Sequence, residues 1–360
     1  MSGYTPGYPP GTGPAAGGAA EVDFLLEQRG AGHELGAWVV GVAFGREGRS
    51  AAFALGDGRI LLARTAEPKG EWREIAAHDG AAQSLVADCA EGFLSGGDDG
   101  RLLRTTPEGE VSELAAFGMM KWVEHLATHP SGVRAAAVGK QLHLLDGKGE
   151  KLKTLSTPST VGGVALDAKG KRVVASHYNG VSMWFVASRE GEARKLEWKG
   201  SHHAVAISPD GNAVVTAMQE NALHGWRLSD SQHMRMSGYP GKTRSLSFTA
   251  KGRWLATSGS EAVVLWPFFG GGPMGKAPEE IAGGDGVLCS VVACHPQHEV
   301  FAAGFSDGLV LMAEIASGKI VPIAAPGRGA VSALSWNAAG TQLAFGTETG
   351  FAALIDLSRQ

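Results

Sequence analysis

The sequence has few of the features that mark secreted or disulfide-rich proteins. It contains only three cysteines, Cys89, Cys289 and Cys294, and no C-x-x-C pair. Cys289 and Cys294 are five residues apart in one predicted strand and face opposite sides of it, so they cannot bridge each other there. This cysteine usage is typical of a reducing compartment and predicts no disulfide framework.

Long hydrophobic runs and strong charge are also absent. The longest clean apolar run, Ala262 to Phe269, is too short to span a bilayer, and the first residues lack the profile of a secretory signal. The formal net charge is −4, and no basic stripe alternates with aromatic residues, so neither nucleic acid nor membrane is favoured as a partner. We therefore expect a cytoplasmic protein that binds neither.

Glycine is abundant, with 53 of 360 residues, which suits a fold built largely of turns. Ten of the first twenty residues are Gly or Pro, so residues 1–20 are predicted to form a disordered tail and residues 21–360 the folded domain. Two alternatives for the tail are open: a passive extension, or a peptide ligand that uses Tyr4 and Tyr8.

The segment from Ser245 to Trp266 has the pattern of three short strands joined by two tight turns. Leu246 and Phe248 alternate with serines, which is the period of a strand with one buried face. Lys251-Gly252 makes the first turn, and the third strand ends at Trp266. The spacing leaves no room for a helix.

This unit recurs along the chain every 40 to 46 residues. A fourth, more charged strand follows most of the third strands, as expected for an outermost strand. Four short strands in a period of this length are typical of the blades of a β-propeller. The turns between second and third strands are anchored at Gly58, Gly100, Lys140, Gly180, Ala222, Ala262, Gly308 and Gly350.

The repeats resemble those of the WD40-repeat family over roughly residues 22–357. The Gly32-His33 pair, the Ser-Pro-Asp-Gly turn at residues 208–211, three Asp-Gly turns and three tryptophans at the ends of third strands carry the resemblance. No third strand ends in the family's Trp-Asp pair, and no repeat has all four members of its His–Ser–Asp–Trp hydrogen-bonded set. The turns lie at Asp57, Asp99 and Asp307, and the tryptophans are Trp184, Trp226 and Trp266.

The resemblance implies an all-β fold, a single closed β-propeller of four-stranded blades. The repeats count to eight blades, with seven as the alternative if one weak repeat is misread. The last repeat has no fourth strand, and the family commonly closes its ring with an N-terminal strand, which implies that Val22–Arg29 pairs with Phe351–Leu357. His33 and His78 stand where the family's histidine braces a blade through an aspartate in its turn.

Two short motifs match enzyme signatures without the structure that such sites need. Gly270–Ala277 (GGGPMGKA) is similar to a phosphate-binding loop, but it lacks the Ser or Thr and opens no helix. Gly304–Gly308 fits G-x-S-x-G, but the chain returns at once to a strand, whereas a nucleophile elbow turns into a helix. We therefore predict no enzymatic activity and no cofactor.

The predicted function is a non-enzymatic scaffold that binds protein partners through its loops. A rigid ring can present variable loops without disturbing its core, and aromatic, Met and Arg side chains are common interface anchors. For Trp122 the alternative is a buried position at the start of a strand. The ring is expected to be monomeric, and its candidate contact residues are Met119, Met120, Lys121, Trp122, His177, Tyr178, Tyr239 and Arg328.

A metal-handling propeller is the alternative function. Residues four apart in a strand, such as His125 and His129, lie roughly 13 Å from each other, which is too far for one zinc ion. The resemblance implies that loops of neighbouring blades meet on one rim. There His177, His202 and His203 form a conceivable zinc-ligand set.

Overall fold

A computed structural model describes residues 23–189, 191–284 and 286–358. These residues form thirty strands and one short helix, α1 (Leu25–Arg29), so the predicted all-β class is confirmed. No helix of this part of the chain has the length and apolar character needed to cross a membrane. The predicted tail, residues 1–20, lies outside the described residues.

The strands of the described chain form seven antiparallel sheets, six with four strands and one with six. Sheet 1 comprises β2 (Val39–Phe44), β3 (Ser50–Leu55), β4 (Arg59–Arg64) and β5 (Arg73–Ala76). Sheet 2 comprises β6 (Ala82–Ala87), β7 (Phe93–Gly97), β8 (Arg101–Thr105) and β9 (Val111–Ala116). Sheet 3 comprises β10 (Val123–His129), β11 (Val133–Val138), β12 (Gln141–Leu145) and β13 (Lys151–Ser156). Sheet 4 comprises β14 (Gly163–Leu166), β15 (Arg172–Phe185), β16 (Arg194–Ile207), β17 (Ala213–Met218), β18 (Ala222–Arg227) and β19 (His233–Ser237). Sheet 5 comprises β20 (Leu246–Phe248), β21 (Trp254–Thr257), β22 (Ala262–Pro267) and β23 (Glu279–Gly283). Sheet 6 comprises β24 (Cys289–Cys294), β25 (Val300–Phe305), β26 (Val310–Glu314) and β27 (Ile320–Ala324). Sheet 7 comprises β28 (Val331–Trp336), β29 (Gln342–Thr347), β30 (Phe351–Asp356) and β1 (Gly30–Glu34).

The predicted eight separate blades are corrected to seven sheets. Two predicted repeats are joined in sheet 4, because β15 and β16 are each 14 residues long. β15 folds back on itself near Asn179, as the hydrogen bond from the amide of Val186 to the carbonyl of Lys171 (2.9 Å) shows. β16 pairs with β15 through its first half and with β17 through its second half. Because β16 is long enough to pair with both strands, the two predicted repeats form one continuous sheet.

Within a four-stranded sheet the middle strands are buried and the fourth strand is outermost. Every residue of β3 and β11 is buried, as is every residue of β17 in the six-stranded sheet 4, whereas β9 and β13 are mostly exposed. The predicted outermost position of the charged fourth strands is confirmed for β5, β9, β13 and β27, whereas the charged strand predicted from Ala193 is part of β16, which stands between β15 and β17 in sheet 4.

The first strands contact one another from sheet to sheet. β2 contacts β6, β6 contacts β10, and the series continues through β14, β16, β20, β24 and β28, which contacts β2 in turn. The contact between sheets 7 and 1 repeats those between internal sheets: a Cβ on Gly346 would overlap Val39, as one on Gly96 would overlap Val123. Likewise, the amide of Leu35 donates to the carbonyl of Gly350 at 2.8 Å.

The N-terminal segment pairs with the last strand, but through other residues than predicted. The expectation that Val22–Arg29 forms this strand is wrong: residues 25–29 form α1, and β1 pairs with β30, with Glu34 opposite Phe351. The sequence LLEQR consists of good helix formers. Gly32 suits the strand because a Cβ there would overlap the Phe351 ring. Val22 lies outside the described residues.

Candidate functional site

Two kinds of loop meet on one side of the sheets. The turns between second and third strands contact the loops that lead from a fourth strand to the next first strand. The amide of His78 donates to the carbonyl of Gly58 at 3.1 Å, and that of Gly327 to Asp307 at 2.7 Å. We call these two sets of loops together the rim. Side chains on the rim can vary without disturbing the sheets.

Half of the twelve exposed large apolar side chains of the described chain lie on the rim. The other six lie on outermost strands (Val111, Leu152 and Ile320), at the end of β15 (Phe185) and in the loop between β22 and β23 (Phe269 and Met274). A concentration of exposed apolar side chains on one face is typical of an interaction site. The rim members are Trp38, Met119, Met120, Trp122, Tyr178 and Leu288.

Three of these side chains occupy the same position in their sheets. Trp38, Trp122 and Leu288 each stand immediately before a buried residue that begins a first strand, and a β-bulge follows that residue in all three. Trp38 and Trp122 are about half exposed, at 50% and 51%. Trp122 is therefore not a buried strand residue, and the strand begins with Val123 instead.

The loop before Trp122 projects two methionines into solvent. Met119 and Met120 are 91% and 89% exposed, and Lys121 is exposed beside them. Met120 has a φ of 60°, an unusual value for a residue with a side chain. The base of the loop is fixed, because Phe117 donates its amide to Gly100 at 2.8 Å. Two flexible thioether side chains on a fixed base form an adaptable apolar contact.

Tyr178 stands at the tip of β15, where the strand folds back, and is exposed. Its amide donates to Ser159 Oγ at 2.8 Å. It borders a cavity of about 330 Å³ that Trp198, Met218 and Glu220 also line. The predicted contact residue is thus on the rim, beside a concave surface.

Two predicted contact residues are buried, His177 within β15 and Tyr239 in the loop between β19 and β20, and for them the structure corrects the prediction of an exposed contact. The ring nitrogens of His177 lie 2.8 Å from Tyr178 O and 2.9 Å from Ser182 Oγ. The Tyr239 hydroxyl lies 2.7 Å from Thr257 Oγ1 and accepts a hydrogen bond from Trp266 Nε1 at 2.6 Å. Burial raises the pKa of Tyr239 to about 12, although both of these hydrogen bonds lower it. Each polar group is used within its own sheet.

Arg328 lies on the rim but is engaged with the N-terminal segment. Its Nη2 donates to Glu27 Oε1 at 2.9 Å, and its guanidinium carbon lies 4.8 Å from the centre of the Phe351 ring. Arg328 therefore fixes α1 to sheet 7. It is less free to contact a partner than the Met119–Trp122 loop.

The predicted zinc ligands do not form a metal site in the described chain, where no group of three His, Cys, Asp or Glu residues is arranged to hold an ion. His202 lies 2.7 Å from Thr216 Oγ1 through Nδ1 and 3.0 Å from Trp198 O through Nε2. Both nitrogens of His177 are likewise engaged. His203 has a buried Nε2 without a hydrogen-bond partner among the described residues.

The predicted bracing role is confirmed for His78 and wrong for His33. His78 Nδ1 lies 3.1 Å from both carboxylate oxygens of Asp99, and Nε2 lies 2.9 Å from Ser95 Oγ. Burial lowers the pKa of His78 more than Asp99 raises it. His33 lies instead in β1 with its ring 4.4 Å from Trp72, because Gly32-His33 belongs to an outer strand and not to a loop.

The two enzyme-like motifs have the local structures predicted for them. Ser306 lies in the turn between β25 and β26, and its Oγ accepts a hydrogen bond from the Leu288 amide at 3.2 Å. The Gly270–Ala277 segment links β22 to β23 without a helix. Lys276 is used within the loop, where it donates to the carbonyl of Phe269.

Sequence reasoning missed Trp38 and Leu288. The signal that could have found them is their position, one residue before a first strand, which they share with the predicted Trp122. The candidate residues were predicted loop by loop. Recognising that Trp38, Trp122 and Leu288 occupy the same position requires knowing the residue at which each first strand begins.

Comparisons with known proteins identify the fold and no family. No family model and no curated protein sequence matches the chain. Among solved structures, the crystal structure of the computationally designed Ika8 protein is similar, with a TM-score of 0.73 and 17% identity over 90% of this chain and 97% of that one. At this identity the likeness extends to the fold alone, which is a β-propeller with four-stranded blades.

Proposed function

We propose that this chain is a WD40-type propeller that binds protein partners through its rim and performs no chemistry. The observation that carries the proposal is the pair Trp38 and Trp122. Each occupies the same place before a first strand, and each is half exposed. Trp at such a site offers a large contact area with few rotatable bonds, which is typical of interface anchors.

The repeat length and the hydrogen bonds of His78 support the WD40 assignment. His78, Ser95 and Asp99 form three members of the set that the resemblance implies. In sheet 5, Tyr239, Thr257 and Trp266 form a related set, with a phenol in place of the imidazole.

The metal-handling alternative has less support than partner binding. The three histidines proposed for it are buried or half-buried, and both ring nitrogens of His177 and of His202 form hydrogen bonds within sheet 4. By contrast, the exposed surfaces of Met119, Met120 and Trp122 are not covered by other parts of the protein.

A photo-crosslinking amino acid placed at residue 122 tests the proposal. The matched control places it at residue 152, because Leu152 lies on the outermost strand β13 and has the same exposed fraction, 51%. Both variants are expressed in the native cell, irradiated, and compared by mass spectrometry of the cross-linked species.

The proposal predicts a defined set of proteins cross-linked at residue 122 and not at residue 152. It further predicts that Met119→Ser in the residue-122 variant weakens this cross-link. Equal labelling of the same proteins from both positions, or no labelled protein from either, would overturn it.

A further inference from the structure

Two adjacent methionines stand in solvent in the loop between β9 and β10. Met119 is 91% and Met120 89% exposed, so a small solute can reach nearly the whole of each side chain. Gly118, which precedes them, has open space where a side chain would lie, because nothing is within 4 Å of a Cβ added to it. Neither thioether is therefore shielded by packing against the described protein.

No other methionine of the described chain is exposed to this extent. Met274 is 49% exposed, in the loop between β22 and β23 on the side opposite the rim, and Met312 is half-buried in β26. A reagent that attacks the thioether sulfur from solvent should therefore modify Met119 and Met120 first. The remaining methionines are buried in the sheets: Met183, Met218, Met234 and Met236.

The three cysteines are poor competitors for an oxidant. The thiolate is the reactive form of cysteine, and burial raises the pKa of Cys289 and of Cys294 to about 12. Burial, and less strongly the charge of Asp88, also raise the pKa of Cys89. At neutral pH each of these residues is therefore held largely as a thiol. A thioether has no proton to lose before it reacts, so the methionines keep their reactivity at this pH.

The methionine pair adjoins a residue on which the proposed function depends. Met119 is three residues from Trp122, a separation of at most about 11 Å between their Cα atoms. An interface of ordinary size covers about 800 Å² of each partner, so a partner that covers Trp122 reaches both thioethers as well. Thioethers make adaptable apolar contacts, whereas sulfoxides are polar. Oxidation would thus place two polar oxygen atoms in the contact.

On the basis of the proposed function, we propose that Met119 and Met120 form a modification site, at which a hydroperoxide oxidises the thioethers to sulfoxides and so weakens partner binding. The sulfur lone pair attacks the outer oxygen of the peroxide, the O–O bond breaks and an S–O bond forms. The leaving oxygen takes up a proton and departs as water, or as an alcohol from an alkyl hydroperoxide. The sulfur is oxidised by two electrons, and these reduce the peroxide. A methionine sulfoxide reductase with a dithiol reverses the change, with water and a disulfide as products.

Oxidation of the pair should weaken binding without loosening the fold. Both side chains are almost fully exposed and contribute little packing, so their sulfoxides should leave the unfolding midpoint unchanged. In the complex, each new oxygen loses water in a contact that is adapted to an apolar group, and an unpaired polar atom of this kind opposes binding. We expect the affinity for the partner to fall by about tenfold or more.

Treatment of the full chain with hydrogen peroxide at neutral pH, followed by mass spectrometry of its peptides, tests the site of modification without any partner. We expect an added oxygen on Met119 and Met120 before any on Met274, and none on Met236 while the protein is folded. Oxygen that appears first on Met274 or Trp122, or at equal rates on all three exposed methionines, would overturn the proposal.

The affinity for the partner cross-linked at residue 122 tests the consequence of the modification. It should fall by about tenfold or more after oxidation and return after treatment with methionine sulfoxide reductases. The matched control, Met119→Leu/Met120→Leu, keeps an apolar contact without a thioether and should bind equally well before and after peroxide. Unchanged affinity of the oxidised wild type, or an equal loss in the leucine variant, would overturn the proposal. A partner captured at residue 122 that the oxidised chain still binds leaves the proposed function intact and removes only its control by oxidation.

Discussion

The hydroxyl of Ser332 donates a hydrogen bond to the carbonyl of Val39 at 2.6 Å, although the two residues are 293 positions apart. It joins the first strand of sheet 7 to the first strand of sheet 1. Ser84 makes the same kind of bond to Val123 (3.0 Å) between sheets 2 and 3. The contact between the last and first sheets is thus chemically equivalent to an internal one.

We predict that Gly346→Ala destabilises the protein about as much as Gly96→Ala. A Cβ at either position overlaps a valine of the neighbouring sheet, Val39 or Val123, and overpacking of this kind typically costs about 1–3 kcal/mol. Gly191→Ala is the control, because nothing lies within 4 Å of its added Cβ. Chemical denaturation measures all three, and a Gly346→Ala variant as stable as the control would contradict the equivalence.

We predict that Asp88→Asn is strongly destabilising. Asp88 is fully buried on the side opposite the rim, and Arg134 donates to both of its carboxylate oxygens, at 2.7 and 2.8 Å. Arg104 adds a third hydrogen bond at 2.8 Å. Breaking a buried pair by removing one charge costs roughly 3–5 kcal/mol. The matched control is Asp230→Asn, which breaks the exposed pair with Arg227 and should leave the unfolding midpoint nearly unchanged.

The same carboxylate makes stability depend on pH in the acid range. Burial raises the pKa of Asp88, but hydrogen bonds from Arg134, the Cys89 amide and Arg104 outweigh it and hold the pKa below the ordinary 3.8. A lowered carboxylate pKa stabilises the fold above 3.8, and this stabilisation is lost as the pH falls through the folded-state pKa. The wild type should therefore lose its stability advantage over Asp88→Asn in this range. A constant difference between the two would contradict the role of the charge.

Buried His224 predicts a second, separate pH dependence. Burial and, less strongly, the charge of His233 lower the pKa of His224 to about 3 from the ordinary 6.5. Between pH 6.5 and pH 3 this histidine is therefore protonated in the unfolded chain but neutral in the folded protein. The free energy of unfolding should decrease as the pH drops through this range, by at most about 1.4 kcal/mol per pH unit for this group. In His224→Gln, denaturation curves at a series of pH values should show a shallower slope. If the free energy of unfolding of His224→Gln varied with pH as steeply as that of the wild type, the proposed contribution of His224 would be refuted.

The repeat predicted much of the fold because strand alternation, turns and charged outer strands are local properties. The sheet count failed because the continuity of β15 and β16 depends on hydrogen bonds around Asn179 and Gly200 that no short pattern encodes. The N-terminal strand was misplaced because Gly30 and Gly32 give a weak strand pattern. They are suited to β1 only by the neighbouring side chains of Leu26 and Phe351.

The candidate site was predicted in part for a similar reason. Met119 and Trp122 are exposed as expected, since they lie in a loop between two strong strand patterns. His177 and Tyr239 also lie near loops, but a polar group on an apolar ring suits a buried hydrogen bond as well as an interface. Burial decides between the two roles, and it follows from tertiary packing.

Binding of the partner cross-linked at residue 122 tests the central claim most directly. Trp38→Ser/Trp122→Ser should abolish co-purification of that partner while leaving the unfolding midpoint nearly unchanged, because both side chains are half exposed. Leu152→Ser/Ile320→Ser, on the outermost strands, should retain it. Full retention by the tryptophan double variant, or equal loss in both variants, would contradict the claim that the rim is the binding surface.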